Sequence, residues 1–410
     1  MPTLEFPLSR IEGHAQVVIE VQRGKVVSAH FQATEFRGFE HLVKGVPAED
    51  MVVIVPRICG VCSTAHHVAA VEALEDAYGV TPPPLAQNIR ELLLLGQLIQ
   101  NQATSLFIFT MPDRLGTESI FQTPAYVDYD QPLPIAQGVA QVRRAGTNLI
   151  KVAGGQFIHP VKAIIGGMTS GITKAEAEAA RAEVEAALPL ACRLFDYYIE
   201  KTRELKERIG TLGDDAPAYY IASVGDTQPD YTGDRLRMLD TYGVLCDEFP
   251  AKDFWSHLTY EETDYSYSGK TSYRGNVIRA NSLARINMAK SMGTPCADGY
   301  LKRFKEAFGH PAHAILLFDI ARGIELVYAI ERAIEILAKP LDGADTHVGF
   351  TPRDGEGYGL VEAPRGPLIH HYVIQHGRIA KADFIIPTVH NVMAIERALA
   401  QREVVEENHK

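Results

Sequence analysis

The sequence predicts a mainly α chain with small β elements (α+β), a long central helix bundle carrying an N-terminal β-hairpin region. Three observations lead there. Apolar residues recur at helical spacing over long runs, at about residues 85–109 and 314–337. Strand-like runs are short, confined to the N-terminus, a mixed span at about 213–275 and the residues after about 366. No internal repeat, low-complexity tract or Gly/Ser linker divides the 410 residues, so a single domain over 1–410 is expected.

Taken in order, "AQVVIEVQRGKVVSAHFQATEF" reads as a hairpin turning at Arg23, Gly24 and Lys25. "HHVAAVEALEDAYGV" has helical spacing and is stopped by Pro82, Pro83 and Pro84. The run that follows, to about residue 109, is too apolar all round for a surface helix. "TKAEAEAARAEVEAAL" opens with Thr173 and Glu176 at capping-box spacing, and "RLFDYYIEKTRELKERIG" is expected to start another helix ended by Gly210. The span rich in Asp, Gly and Tyr then reads as hairpins and loops inserted in the helical body. Strong helical periodicity resumes at 314–337. A Gly- and Pro-rich stretch, 340–366, leads to short strands and a last helix at about 391–400.

The net charge is −11, from 40 basic and 51 acidic residues, which argues against a nucleic-acid partner. Five cysteines form no disulfide framework and fit reduced thiols in a cytoplasmic setting. "MPTLEFPLSRIEGH" lacks the basic and apolar segments of a signal peptide. "LLLLGQLIQNQATSLFIF" is interrupted by Gln97, Gln100, Asn101 and Gln102, so no membrane span is expected.

The chemistry concentrates in "RICGVCSTAHH". Two intervening residues let Cys59 and Cys62 turn their sulfurs toward one ion, and His66 returns to the same helical face four residues later. Spacing alone leaves three readings open. A structural zinc site needs about four protein ligands, and His67 points roughly 100° away. A thioredoxin-like redox pair lacks its surrounding βαβ pattern. A softer or redox-active metal is the third.

Seven stretches occur in a fixed order: "SRIEGHAQ" (9–16), "EFRGFEHLVKG" (35–45), "PRICGVCSTAHH" (56–67), "MPD" (111–113), "GGQFIHPVKAIIGG" (154–167), "APRGPLIHHY" (363–372) and "IIPTVHNVMAIERAL" (385–399). Each is modest alone. The ordered set, spanning nearly the whole chain, resembles the large subunit of nickel–iron hydrogenases, above all the cytoplasmic sulfhydrogenase, NAD-linked, deazaflavin-linked and heterodisulfide-reductase-linked types.

The resemblance implies the hydrogenase large-subunit fold. The hairpin region and the cysteine half-site would occupy 1–80, the helical core 85–210 and 280–340, the inserted loop and β region 211–279, and a canopy over the active site with the final helix 341–410. It implies reversible heterolytic splitting of dihydrogen at a nickel–iron centre whose iron carries carbon monoxide and cyanide. Cys59 would be a terminal nickel ligand and Cys62 a bridging one, with His66 beside the bridging sulfur. Glu12 would relay protons as a buried carboxyl of raised pKa; its plainer reading is an exposed acid or a partner for Arg10. Glu40 would serve a magnesium ion. Arg365 would lie over the nickel's open position with Pro364 beside it, oriented by an ion pair with Asp113. Pro387 and Thr388 would meet a cyanide, and His159 would face the nearest cluster of an iron–sulfur small subunit. Electrons need such clusters in a partner, in a larger assembly with a flavin or disulfide-reducing module. Cys192, Cys246 and Cys296 read as buried small hydrophobes.

The family's large subunit ends in DPCxxCxxH, which brings two more thiolates; no second Cys-x-x-Cys occurs in these 410 residues. The missing half could come from a separate short peptide, the chain could be truncated, or it could be a nickel-free paralogue with a structural or electron-relay role. The presence of Cys59, Cys62, Arg365 and Thr388 together favours a complemented site.

Overall fold

The computed structural model describes residues 3–127 and 132–400. An antiparallel sheet opens the chain: Thr3–Pro7, Ala15–Gln22 and Lys25–Ala33, in that spatial order. Gln22 pairs with Lys25, which leaves Arg23 and Gly24 as a two-residue turn. Both have positive φ, 52° and 76°, the handedness that matches strand twist in tight hairpins.

Helices form the body. Ser63–Tyr78 ends at left-handed Gly79, and Pro82–Pro84 redirect the chain into Pro84–Ala103. That helix runs on through a π-helical stretch, Thr104–Thr110, into Met111–Leu115. By length and composition Pro84–Leu115 is apolar enough to cross a membrane, yet 83% of its most apolar window is buried inside the fold. Beside it runs Ile135–Gly154. A Cβ at Gly146 would meet Gln100 N at 2.7 Å and Gly96 O at 2.8 Å, so only glycine permits this backbone approach.

The two helices expected between Thr173 and Gly210 are one. Lys174–Ile209 is continuous over 36 residues, with the Thr173–Glu176 capping box at its start and Gly210 (φ 73°) at its end. Pro189 lies inside it. The missing amide is tolerated because Leu190, Ala191, Leu194 and Phe195 directly after it are buried against the body. Leu317–Leu337 packs on the same core.

Tyr219–Ala222, Arg235–Leu239 and Leu245–Pro250 form an antiparallel meander, joined at its other edge by Ile278–Arg279 in parallel. A further sheet, Gly355–Ala363, Gly366–Gln375 and Arg378–Ile385, lies on the helix Ser63–Tyr78. Gly357 and Gly359 share one face of its first strand. Any Cβ there would strike the backbone of Ala73 and Ala69 on that helix. The strand thus lies flat on the cysteine-bearing helix, and its far end reaches the cysteines. Thr388–Ala400 closes the described fold.

Candidate metal centre

Cys59 follows a 3₁₀ turn, Val55–Ile58, in extended conformation, and Cys62 caps the helix Ser63–Tyr78. Both are 9% exposed. Their Cα atoms are 5.3 Å apart and the structure pairs the sulfurs as a disulfide. This differs from the free thiolates expected of two metal ligands. The cause is convergence itself: the Cys-x-x-Cys turn at a helix start brings two sulfurs to one point, where they bond to each other or, reduced, face one ion. The amide of Cys62 donates to Cys59 Sγ at 3.2 Å. That contact and the helix N-terminus both favour sulfur in its anionic form once reduced.

Arg365 arrives from the opposite end of the sequence. It occupies the two-residue turn with Pro364 between Ala363 and Gly366, and its Nη2 donates to Cys62 Sγ at 3.7 Å. The turn is held from beneath. Arg285, wholly buried, donates through Nη1 to Ala363 O and through Nη2 to Pro364 O, both at 3.1 Å. Asn391 Nδ2 reaches Arg365 O at 3.4 Å and Pro387 O at 3.2 Å. Arg285 is in turn anchored by two carboxylates, Glu325 (Nε to Oε1, 2.5 Å) and Glu362 (Nη1 to Oε2, 2.6 Å). Burial, opposed by Arg285, pushes the Glu362 carboxyl up to about 7. The Arg365 guanidinium is lowered from its usual value, first by burial and then by Arg322, against the pull of Glu12.

His66 stands one turn along from Cys62, its amide bonded to Cys62 O at 3.2 Å. Burial, then the nearby Arg365, lowers its pKa to about 3, so the ring is neutral. Glu12 lies at the cysteine loop, its Oε1 accepting from Gly60 N at 3.1 Å. It is exposed in this chain, not buried as expected, because the turn between the first two strands runs along the surface. Pro364 and Pro387 are buried and Thr388, first residue of the last helix, is half-buried.

Asp113 does not meet Arg365. It pairs with Arg10 at 3.1 Å on the surface, 66% exposed, because the short helix Met111–Leu115 turns that side chain outward. Glu40 is half-buried in the short helix Phe39–Leu42. The amide of His159 donates to Ser63 Oγ at 3.2 Å, which fixes that loop beside the cysteine helix. Cys246 and Cys296 are exposed and Cys192 is intermediate, so the expectation of three buried thiols fails. Cys246 lies on the outer strand of its sheet and Cys296 in the first turn of the helix Pro295–Phe308, both outside the core.

Two sulfurs, a guanidinium above one of them and a carboxylate beside the loop suit one half of a thiolate-held metal centre. Among the described residues there is no group of three or more His, Cys, Asp or Glu able to enclose an ion, so neither the remaining thiolates nor further magnesium ligands are in place.

A model of the nickel-dependent hydrogenase family matches residues 37–113 and 216–407, and one described as HoxL-like matches 6–36. This chain belongs to the nickel-dependent hydrogenase family. It is 35% identical to a subunit of the F420-non-reducing hydrogenase vhu of Methanocaldococcus jannaschii, over 96% of this chain and 97% of that one. It is 30% identical to a subunit of the F420-non-reducing hydrogenase vhc of Methanococcus voltae, over 95% of this chain and 85% of that one. A crystal structure of an NAD⁺-reducing nickel–iron hydrogenase in the H₂-reduced state superposes with TM-score 0.88 and 26% identity, over 99% of this chain and 95% of that one. The fold is that of the hydrogenase large subunit, and the chain is a nickel–iron hydrogenase subunit.

Several residues of the site carry too little signal to be found in the sequence: Arg285, Glu325, Glu362, Asn391, His370 and Tyr372. A signal for Glu325 exists, the one charged residue in the apolar stretch from Gly323 to Ile330. His370 and Tyr372 lie within "APRGPLIHHY", where nothing in the motif separates them from their neighbours.

Proposed function

We propose that this chain is the dihydrogen-activating subunit of a cytoplasmic hydrogenase, passing electrons to an iron–sulfur small subunit within a heterodisulfide-reductase-linked or cofactor-linked complex. The observation that carries the reading is the meeting of Arg365 with Cys62, from opposite ends of the chain, at 3.7 Å. Cys59 and Cys62, reduced, would hold a nickel–iron centre. When bound, that centre, with carbon monoxide and cyanide on its iron, supplies the place where dihydrogen is split and the electrons are received.

The protein's part is electrostatic and steric. Arg365 keeps a fixed positive charge beside the sulfur and donates hydrogen bonds into the pocket. Pro364 and Pro387 exclude water, and Thr388 offers a hydroxyl to a cyanide. Glu12 takes up a proton near the cysteine loop and, being open to solvent, releases it. Glu40 would give one carboxylate to a magnesium ion whose other ligands lie outside the described residues. His159, with exposed Ile158 and Val161 around it, faces the iron–sulfur partner. The other two thiolates are assigned to a separate short peptide carrying a second Cys-x-x-Cys.

A second reading, a nickel-free subunit with a structural or electron-relay role, holds if no partner supplies the ligands that the described residues lack. Elemental analysis of the purified complex decides. Nickel with iron, together with infrared bands of metal-bound carbon monoxide and cyanide, supports the enzyme; absence of both metals, or zinc alone, refutes it. A co-purifying peptide ending in Cys-x-x-Cys-x-x-His supports the split site.

A further inference from the structure

A hydrogen-bonded line leaves the site and ends in the core. His66 Nδ1 lies 2.9 Å from His370 Nε2, and His370 Nδ1 lies 2.7 Å from the Tyr372 hydroxyl. His370 and Tyr372 sit two apart on the strand Gly366–Gln375 and so share a face, while His371 between them turns the other way to Glu356 and Asp383. His66, His370 and Tyr372 are 1%, 0% and 0% exposed. A hydrogen bond between two ring nitrogens needs one of them bare, and a charge sealed this far from water has no counter-ion in the line, so each ring carries one proton and the phenol keeps its own.

Only two arrangements place a single proton in each gap. In the first, the Tyr372 hydroxyl donates to His370 Nδ1, His370 Nε2–H donates to His66 Nδ1, and His66 keeps its proton on Nε2. In the second every proton is reversed: His66 Nδ1–H donates to His370 Nε2, and His370 Nδ1–H donates to the tyrosine oxygen. The phenol hydrogen then has no acceptor, because His370 is the only hydrogen-bond partner of this hydroxyl among the described residues. One donor goes unmet in either arrangement, His66 Nε2–H in the first and the phenol in the second, but the first sets the more acidic donor, the phenol, against the stronger acceptor, a bare imidazole nitrogen, and leaves no bare imidazole nitrogen without a proton to accept. The first arrangement prevails.

We propose that Tyr372 and His370 are positioning residues that lock His66 as its Nε2–H tautomer, giving the ring a hydrogen-bond donor on the side away from His370. That the donor serves the sulfur of Cys62 rests on the proposed function; the lock itself does not. With the opposite tautomer the same nitrogen would be an acceptor, which repels a thiolate.

The test is nitrogen-15 NMR of the full chain, with its partners, labelled in histidine and assigned with His66→Gln and His370→Gln. Protonated and bare ring nitrogens resonate far apart. Single Nε2–H forms of both rings support the lock. A proton on Nδ1 of His66, two protons on that ring, or averaging between tautomers overturns it. Tyr372→Phe removes only the hydroxyl and should return both rings to a tautomer mixture; a spectrum like the wild type's overturns the role of Tyr372. If that variant does not fold, the wild-type spectrum still decides. Nickel is measured on the same sample. Nickel absent with the lock present defeats the metal reading alone; nickel present without the lock defeats this proposal alone.

Discussion

Arg365 Nη2 lies 3.7 Å from Cys62 Sγ although 303 residues separate them. Gly357 and Gly359 let the strand rest on the cysteine helix, and Arg285 and Asn391 hold the carbonyls of the turn that ends it. The guanidinium is therefore aimed before any ligand arrives. Arg365→Lys keeps a cation but loses the planar fork and its reach. Dihydrogen turnover should fall about 10²-fold, in the range for losing one preorganised donor, with nickel content unchanged. Turnover within a factor of two of wild type, measured per nickel, would remove Arg365 from the chemistry.

Glu12 is the proton carrier on the proposed reading, and its carboxylate accepts from the Gly60 amide. Glu12→Gln retains an oxygen for that amide and cannot ionise. Isotope exchange between dihydrogen and water should slow by about 10²-fold or more, while elemental analysis finds the same metals. Loss of nickel instead would mean that the bond to Gly60 shapes the cysteine loop and that the proton leaves elsewhere.

Arg285 places one guanidinium between two buried carboxylates. Arg285→Met removes the cation and leaves two buried acids with neutral donors but no compensating charge, which should cost about 3–5 kcal/mol in urea unfolding. Adding Glu325→Gln and Glu362→Gln to the same chain should recover most of that loss, because no uncompensated charge remains. Equal stability of the single and triple variants would show that the network matters through shape and not through charge.

Much of this architecture is legible in the sequence because it follows from local rules. The Arg23–Gly24 turn, the Thr173–Glu176 capping box and the Gly210 stop are decided by the residues involved. What the sequence hides depends on distant partners. Pro189 suggests a break because nothing local reveals the packing that carries the helix through it. Resemblance pairs Asp113 with Arg365, whereas the direction of a five-residue helix gives it to Arg10. Arg285 and Tyr372 carry no spacing signal: their meaning arises only where helix, sheet and turn meet.

Acid sensitivity should trace to buried neutral histidines. Burial lowers His67 and His390 from 6.5 to about 4, and both are essentially inaccessible. In the unfolded chain each takes up its proton near pH 6.5; in the fold it does so only near pH 4. Below 6.5 the unfolded state therefore binds more protons, and stability falls as pH drops through this window by about 1.4 kcal/mol per pH unit for each ring. The raised carboxyl of Glu362 acts oppositely, losing stability as pH rises from 4.5 to about 7. It is common to wild type and variant, so it cancels in their comparison. His390→Gln should shrink the loss between pH 7 and pH 5 by about 2 kcal/mol, from 1.5 units of unmet protonation, and His67→Gln should do the same. Urea titrations at the two pH values read this directly, since any cost of either substitution that does not depend on pH drops out of the difference. An unchanged pH increment in both variants would mean that these rings are already charged, or already solvated, in the folded protein.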